Sequence, residues 1–390
     1  MLTTRRQFLE LTSSMALMAG AMCFPKIVFA SNKAQSFLVL CNTDNINSMW
    51  NTEGIAISHP GSVRFFNVAD KKMQDIFLPF FGHTVTQNPQ WPSHLVTFEK
   101  WAKRGVLINA QTMAIVTVAE PLEGNVFFGH AAYTPDGEFL INTEETYARD
   151  GGQLVVRDPL TLKPIKTVPS YGLRPHECVM LKDGRTLLVM NEGLDAGDSV
   201  LAWVDMPTGK LQHKVELKPF ISERFSTLAN NGCSHVVSTF DGWAICGGGV
   251  YLESDDQSKP SSRHAIIAFV SPAGDVYGAE LPATLTSDMR GETLSLCALG
   301  KSGLVAVTVS SGNMCLIFDY KTQKLVRVIK GHKALGVASL PPTLPNQERF
   351  MISSQHGMLE VKCGPDGQDD ISFFNATLGG AGSHLNLISL

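Results

Sequence analysis

The sequence predicts an all-β protein, a seven-bladed β-propeller whose ring is closed by its own C-terminal strand. Three observations predict it. First, one hairpin sentence recurs. Gly129 to Glu144 runs from a histidine through an apolar strand, an Asp136-Gly137 turn and a second strand, and the same order returns from His176 to Asp183-Gly184 and from His235 to Asp241-Gly242. Second, the strand-opening histidines stand at 83, 130, 176 and 235, in steps of 47, 46 and 59, a period that suits one four-stranded blade each. Third, the two ends carry complementary fragments: strands without an opening strand at the beginning, an opening strand without a blade at the end.

The first thirty residues stand apart. Thr4-Arg5-Arg6-Gln7-Phe8-Leu9 is a twin-arginine pattern, Leu11 to Met22 is apolar, and Val28-Phe29-Ala30 has small residues where a signal peptidase reads. The apolar run is short and is interrupted by Pro25 and Lys26, which argues for a cleaved signal rather than a membrane anchor. Residues 1–30 are therefore expected to be a twin-arginine signal and residues 31–390 a single periplasmic propeller, with no stable membrane span after cleavage. The twin-arginine route carries folded proteins, often with a cofactor already in place.

The blades follow in order. Phe37–Cys41 reads as a buried strand, with further strands near Gly54–Ile57 and Ser62–Val68. No histidine strand opens this unit. Gly382-Ser383-His384-Leu385-Asn386-Leu387-Ile388 begins a unit and stops, so it supplies the missing inner strand. Units opened by His83, His130, His176 and His235 come next. A sixth opens near Glu292-Thr293-Leu294 and carries Leu304–Thr308, Met314–Asp319 and Lys324–Ile329. A seventh opens near Leu335–Ala338, with Arg349–Ser354 and Met358–Val361 behind it. Asp-Gly between apolar runs reads as a two-residue hairpin turn in which both positions take φ > 0. Asn88–His94, Phe220–Asn231 and Glu253–Arg263 read as inserted loops.

Composition limits the function. Net charge is −4 and charged residues are 17% of the chain, so no basic field argues for nucleic acid. After residue 30 there are seven cysteines and no C-x-x-C pair. Most lie in apolar strand patterns, where a thiol acts as a small hydrophobe; Cys233, two residues before His235, is a minor ligand candidate. No nucleophile elbow, phosphate loop or dinucleotide fingerprint occurs.

The histidines carry the site hypothesis. Inner strands line a propeller's channel. Reflection through a symmetric turn puts His130 opposite Thr143 and beside Glu144, His176 opposite Asn191 and beside Glu192, and His235 opposite Gly248. His83 is expected near Glu99, and His384 near Asn42 and Asp44. Five blades would bring an imidazole to one rim. The metal candidates are His83, His130, His176, His235, His384, Glu144 and Glu192, with Arg174, Glu177 and Asn191 as polar residues that contact a ligand. Imidazole with carboxylate suits iron, copper or zinc, of which iron or copper is the expectation. Two other functions fit the same residues: a hydrolase, and an interaction scaffold whose histidines only brace the blades. His332 precedes its strand like a structural Gly-His pair and is left out. His59, His94, His213, His264 and His356 fall in turns or outer strands, where solvent is expected.

Gly-His-x-x-x-Thr-Pro-Asp-Gly-Glu-Phe-Leu followed by Thr-Glu, then Leu173-Arg174-Pro175-His176-Glu177, then a terminal His-Leu, resembles a bacterial exported propeller family, the domain-of-unknown-function family fifteen-thirteen. More loosely the chain is similar to YVTN and WD-repeat propellers. The family resemblance implies a periplasmic propeller acting in iron acquisition, beside imelysin-like proteins and di-haem oxidoreductases. Relatives usually end Trp-Asp-Asn-His-Leu, whereas this chain ends its motif Gly-Ser-His-Leu. Pro175-His176-Glu177 with Asn191-Glu192 also resembles propeller lactonases, which implies the hydrolase alternative.

Overall fold

The computed structural model describes residues 35–43, 60–146, 151–193, 199–224, 232–252, 262–300, 302–331, 333–344, 347–354, 356–363, 369–375, 380–381 and 384–390, all within one compact unit, Gln35–Leu390. The expected signal, the strand near Gly54–Ile57, Asp44, His59 and His332 lie outside the described residues. Among the described residues no helix is long and apolar enough to cross a membrane.

Seven antiparallel sheets form the blades, each running from an inner strand to an outer one. The first is assembled from both ends of the chain. Asn386–Ser389 pairs with Ser36–Thr43, from Ser36 opposite Ser389 to Val39 opposite Asn386. Gly61–Asn67 and Met73–Leu78 complete it. The ring thus closes as expected, with the outer strand at 73–78, a segment that was not anticipated. Gly380–Ala381 adds a short pairing to the same first strand.

Alternation explains the packing between blades. In Leu38, Leu40, Phe66, Ala338, Met351, Met358 and Leu385, the first and seventh blades share one apolar cluster. Leu188, Met190 and Leu201 of the fourth blade pack likewise on Val236, Cys246 and Ile266 of the fifth. Each such leucine is buried, and truncating one to alanine costs about 2–5 kcal/mol. Closure is therefore held by hydrophobic burial as well as by the strand ladder.

The hairpin turns differ from the expected form. Tyr133 pairs with Leu140, and Thr134 O accepts from Gly137 N at 2.8 Å. Gly137, Gly184 and Gly242 have φ of +72°, +67° and +89°, whereas none of the aspartates before them has positive φ. The turn is a type I turn followed by a left-handed glycine. Pro135 locks φ near −65° and forbids the mirror-image turn. Asp136 Oδ1 then accepts from Glu138 N at 3.0 Å and from the Thr134 hydroxyl at 2.6 Å.

Inserted segments fall partly where expected. Asn88 caps its loop by accepting from Gln90 N and Trp91 N, and its amide donates to Gly137 O in the next blade. Lys218–Arg224 is a helix; the rest of that insertion lies outside the described residues. Ser262 and Arg263, expected in a loop, open the strand Ser262–Val270. An unanticipated strand, Lys100–Ala102, folds back from the second blade onto the channel-facing edge of the third, pairing Lys100 with Phe128 and Ala102 with Phe127.

Candidate metal centre

Three of the five histidines stand on interrupted strands, whereas His83 and His384 stand just ahead of the strands Val85–Gln87 and Asn386–Ser389. Register shifts occur between Asn142 and Glu144 opposite His130, between Pro175 and Glu177, and between Cys233 and His235. A bulge breaks the two-residue alternation and re-aims the side chain toward the axis. Gly129 makes the turn in the third blade at φ +98°, and a Cβ there would stand 2.6 Å from the His83 Cβ. The inner-strand carbonyls beside the hub are satisfied from behind. Thr143 Oγ1 donates to His130 O and can also reach His176 O, both at 3.3 Å.

The five imidazoles converge. Ring centroids are 4.7 Å apart for His83 and His130, 4.7 Å for His83 and His384, 4.6 Å for His130 and His384, 4.7 Å for His176 and His235, and 5.0 Å for His235 and His384. His176 stands 5.1 Å from His130 and 5.6 Å from His83. Two sets of three have ligand atoms within 4.8 Å of one another: His83, His130 and His176, and His130, His235 and His384. His130, His176, His235 and His384 are buried and His83 is half-buried. The Nε2 atoms of His83, His130 and His384 and the Nδ1 of His176 are buried without a hydrogen-bond partner among the described residues.

Burial pushes the imidazoles of His83, His130 and His176 well below their ordinary range, and those of His235 and His384 down to about 3; Lys100 pushes all five in the same direction, and neighbouring imidazoles do so for all but His235. All five are therefore neutral at physiological pH, the form that binds metal.

The carboxylate that serves these rings is Glu177. Its Oε2 stands 3.3 Å from His235 Nδ1 and accepts from Val236 N at 2.9 Å, while Oε1 stands 3.7 Å from His130 Nδ1. Burial raises its pKa. Counting seven residues back from each turn glycine gives His130 from Gly137, Glu177 from Gly184 and His235 from Gly242. Glu177, not His176, therefore occupies the His130 position in the fourth blade, with a histidine on either side in the ring. That count was available in the sequence.

The two expected carboxylate ligands separate. Glu192 stays near the hub, with Oε2 3.5 Å from His176 Nδ1 and 3.4 Å from an Arg174 nitrogen. Glu144 does not. It is fully buried in the blade wall, paired with Arg157 at 2.6 Å and bonded by Leu122 N, Asn125 and Asn142. Asn191 is also in the wall, its amide donating to Ser170 O at 3.0 Å. Glu99 holds Arg104 at 2.7 Å and so braces the loop that carries Lys100. Cys233 packs into the cluster between the fourth and fifth blades, where burial pushes its thiol up to about 12. Such a thiol is a poor metal ligand.

Lys100 is the residue that sequence reasoning missed. Its Nζ lies 3.3 Å from His176 Nε2. Burial, with Arg174 and Arg263 nearby, lowers its pKa to about 8 against the pull of Glu192 and Glu292. An ammonium has no lone pair, so His176 Nε2 accepts and its proton belongs on Nδ1, facing Glu192. Arg174, at φ +55°, lays its guanidinium 5.4 Å from the Trp101 ring centroid and 5.8 Å from that of Phe128. Of the histidines expected in solvent, His213 and His356 are exposed, whereas His94 and His264 are half-buried.

A family model described as "Protein of unknown function (DUF1513)" matches residues 76–370. No curated protein matches the chain. Among solved structures, Kuenenia stuttgartiensis hydrazine synthase is similar at 11% identity with a TM-score of 0.53, over 81% of this chain and 90% of that one. The β-propeller domain of Myceliophteria thermophila Cps50 (Swd1) is similar at 12% identity with a TM-score of 0.48, again over 81% and 90%. At 11% identity the likeness to hydrazine synthase speaks for the fold alone.

Proposed function

The chain belongs to the DUF1513 family, whose description gives no activity, and from that premise we propose that it is a metal-binding propeller whose ion is held by imidazoles on the channel axis. One observation carries the reading: buried ring nitrogens that have no hydrogen-bond partner among the described residues converge from separate blades. A histidine that merely braces a blade has its nitrogens bonded, because leaving a buried polar atom unpaired costs about 1–3 kcal/mol. A metal ion satisfies several such atoms at once.

His130, His235 and His384 form the core of the ligand set, with His83 beside them. Nitrogens 2.1 Å from a tetrahedral ion stand about 3.4 Å apart, so small ring rotations close the observed spread of up to 4.8 Å. Glu177 lies within hydrogen-bond reach of His235 Nδ1 and 3.7 Å from His130 Nδ1, so its charge favours the tautomers that leave Nε2 free for the axis. His176 is held off by Lys100. An all-imidazole set of this kind suits copper or iron.

The broader reading places the protein in the periplasm, exported by the twin-arginine pathway, as an accessory to iron acquisition alongside imelysin-like and di-haem oxidoreductase partners. The twin-arginine pattern at Arg5-Arg6 and the family resemblance support it. A hydrolase is less favoured, since Asn191 is committed to the blade wall. The test is elemental analysis of untagged protein recovered from the periplasm. Near-stoichiometric copper or iron is expected, falling below one tenth in His130→Ala and His235→Ala. A native protein without transition metal, or variants with undiminished content, would sink the reading.

A further inference from the structure

We propose that the hub gives one ion two seats in succession, a loading seat of His83, His130 and His176 and a storage seat of His130, His235 and His384. This rests on the metal reading above, which takes the second set as its core. The ligand atoms fall into these two sets of three, each within 4.8 Å, and His130 belongs to both. Nitrogens bound to one ion at 2.1 Å stand at most about 4.2 Å apart, so ring rotation closes either set on an ion. His130 limits the hub to one ion at a time. Its Nδ1 stands 3.7 Å from Glu177 Oε1, and its Nε2 is buried with no partner among the described residues. A single nitrogen is therefore left for the axis, and one nitrogen lone pair binds one metal.

Burial sets the order of the seats. The storage set is buried throughout, whereas the loading set includes the half-buried His83. Glu177 lies against two members of the storage set, His130 and His235. Rings already oriented lose less freedom when they bind, so the ion comes to rest there. His176 completes the loading seat by changing partner. Lys100 Nζ stands 3.3 Å from its Nε2, carried on a strand joined to the third blade by two pairings with a register shift between them. That one hydrogen bond gives way as the nitrogen takes the ion. Transfer then turns on His130, whose ring centroid is 4.7 Å from that of His83 and 4.6 Å from that of His384. Bonds to His83 and His176 break as bonds to His235 and His384 form, and the bond to His130 Nε2 lasts throughout.

The full chain, stripped of metal, is mixed rapidly with copper(II) in non-coordinating buffer and its visible absorption is followed. Binding should stop at one equivalent. Wild type should show an early copper spectrum that converts to the final one at a rate independent of copper concentration. His176→Gln should lose the early spectrum. His384→Gln should stall at it and hold copper about 10- to 100-fold more weakly by chelator competition. His384→Gln combined with His176→Gln should lose that remaining site. Should circular dichroism show His384→Gln unfolded, His235→Gln takes its place. Two equivalents bound, single-step binding without a precursor in wild type, or copper held equally by the single and double variants overturns the inference and leaves the metal reading standing. No copper binding under any condition overturns both.

Discussion

Acidifying the metal-free protein should unfold it far more steeply than its carboxylates alone would. A histidine protonates near pH 6.5 in an unfolded chain, but burial holds His235 and His384 neutral down to about pH 3 in the folded one. Between those values the unfolded state binds the extra proton, so stability falls as pH falls through the window and recovers as it rises. Each such histidine contributes about 1.4 kcal/mol per pH unit, or roughly 3 kcal/mol between pH 6.5 and 4.5. His83, His130 and His176 are lowered by the same burial. These three steepen the fall in the same direction. Glu177, raised by burial, opposes this by at most one proton. Guanidinium unfolding of the chelator-treated protein at pH 7, 6 and 5 measures the slope. His384→Gln keeps a neutral polar side chain at the hub and should reduce the slope by about one proton. Equal slopes in wild type and variant would refute a desolvated, neutral hub.

Two glutamates that look alike in the sequence should behave oppositely. Glu177→Gln should weaken metal binding about 10- to 100-fold with little change in melting, as expected for a residue that orients ligands. Glu144→Gln should leave metal stoichiometry intact but cost about 3–5 kcal/mol, because Arg157 is left buried without its charge partner; chelator competition and thermal melting separate the two. Gly129→Ala puts a Cβ against His83 at φ +98° and should both destabilise the chain by 1 kcal/mol or more and reduce bound metal. Ile388→Ala, in the closing strand and 2% exposed, should cost about 2–5 kcal/mol and speed proteolysis near both chain ends, whereas unchanged melting would argue against closure by that strand.

The order of strands, the sevenfold period and the joining of the two chain ends were legible in the sequence, because each depends on local alternation and on turn glycines that repeat with the blades. The hub histidines were legible for the same reason: a residue at the start of an inner strand has only the channel to face. The partners of those histidines were decided by the tertiary structure. A bulge adds one residue to a strand without a compositional signature, and that single step exchanges which side chain reaches the axis. His176 is displaced from its expected place opposite Asn191 in this way, while Glu177 keeps the place that the count from Gly184 gives it. Glu144 was drawn into the wall by Arg157, which arrives from the third strand of the same blade. Lys100 reaches His176 only because a loop of the second blade folds back onto the third. Periodicity along a chain specifies which face a side chain takes, but the charge it meets there comes from residues far away in sequence, and only packing brings them together.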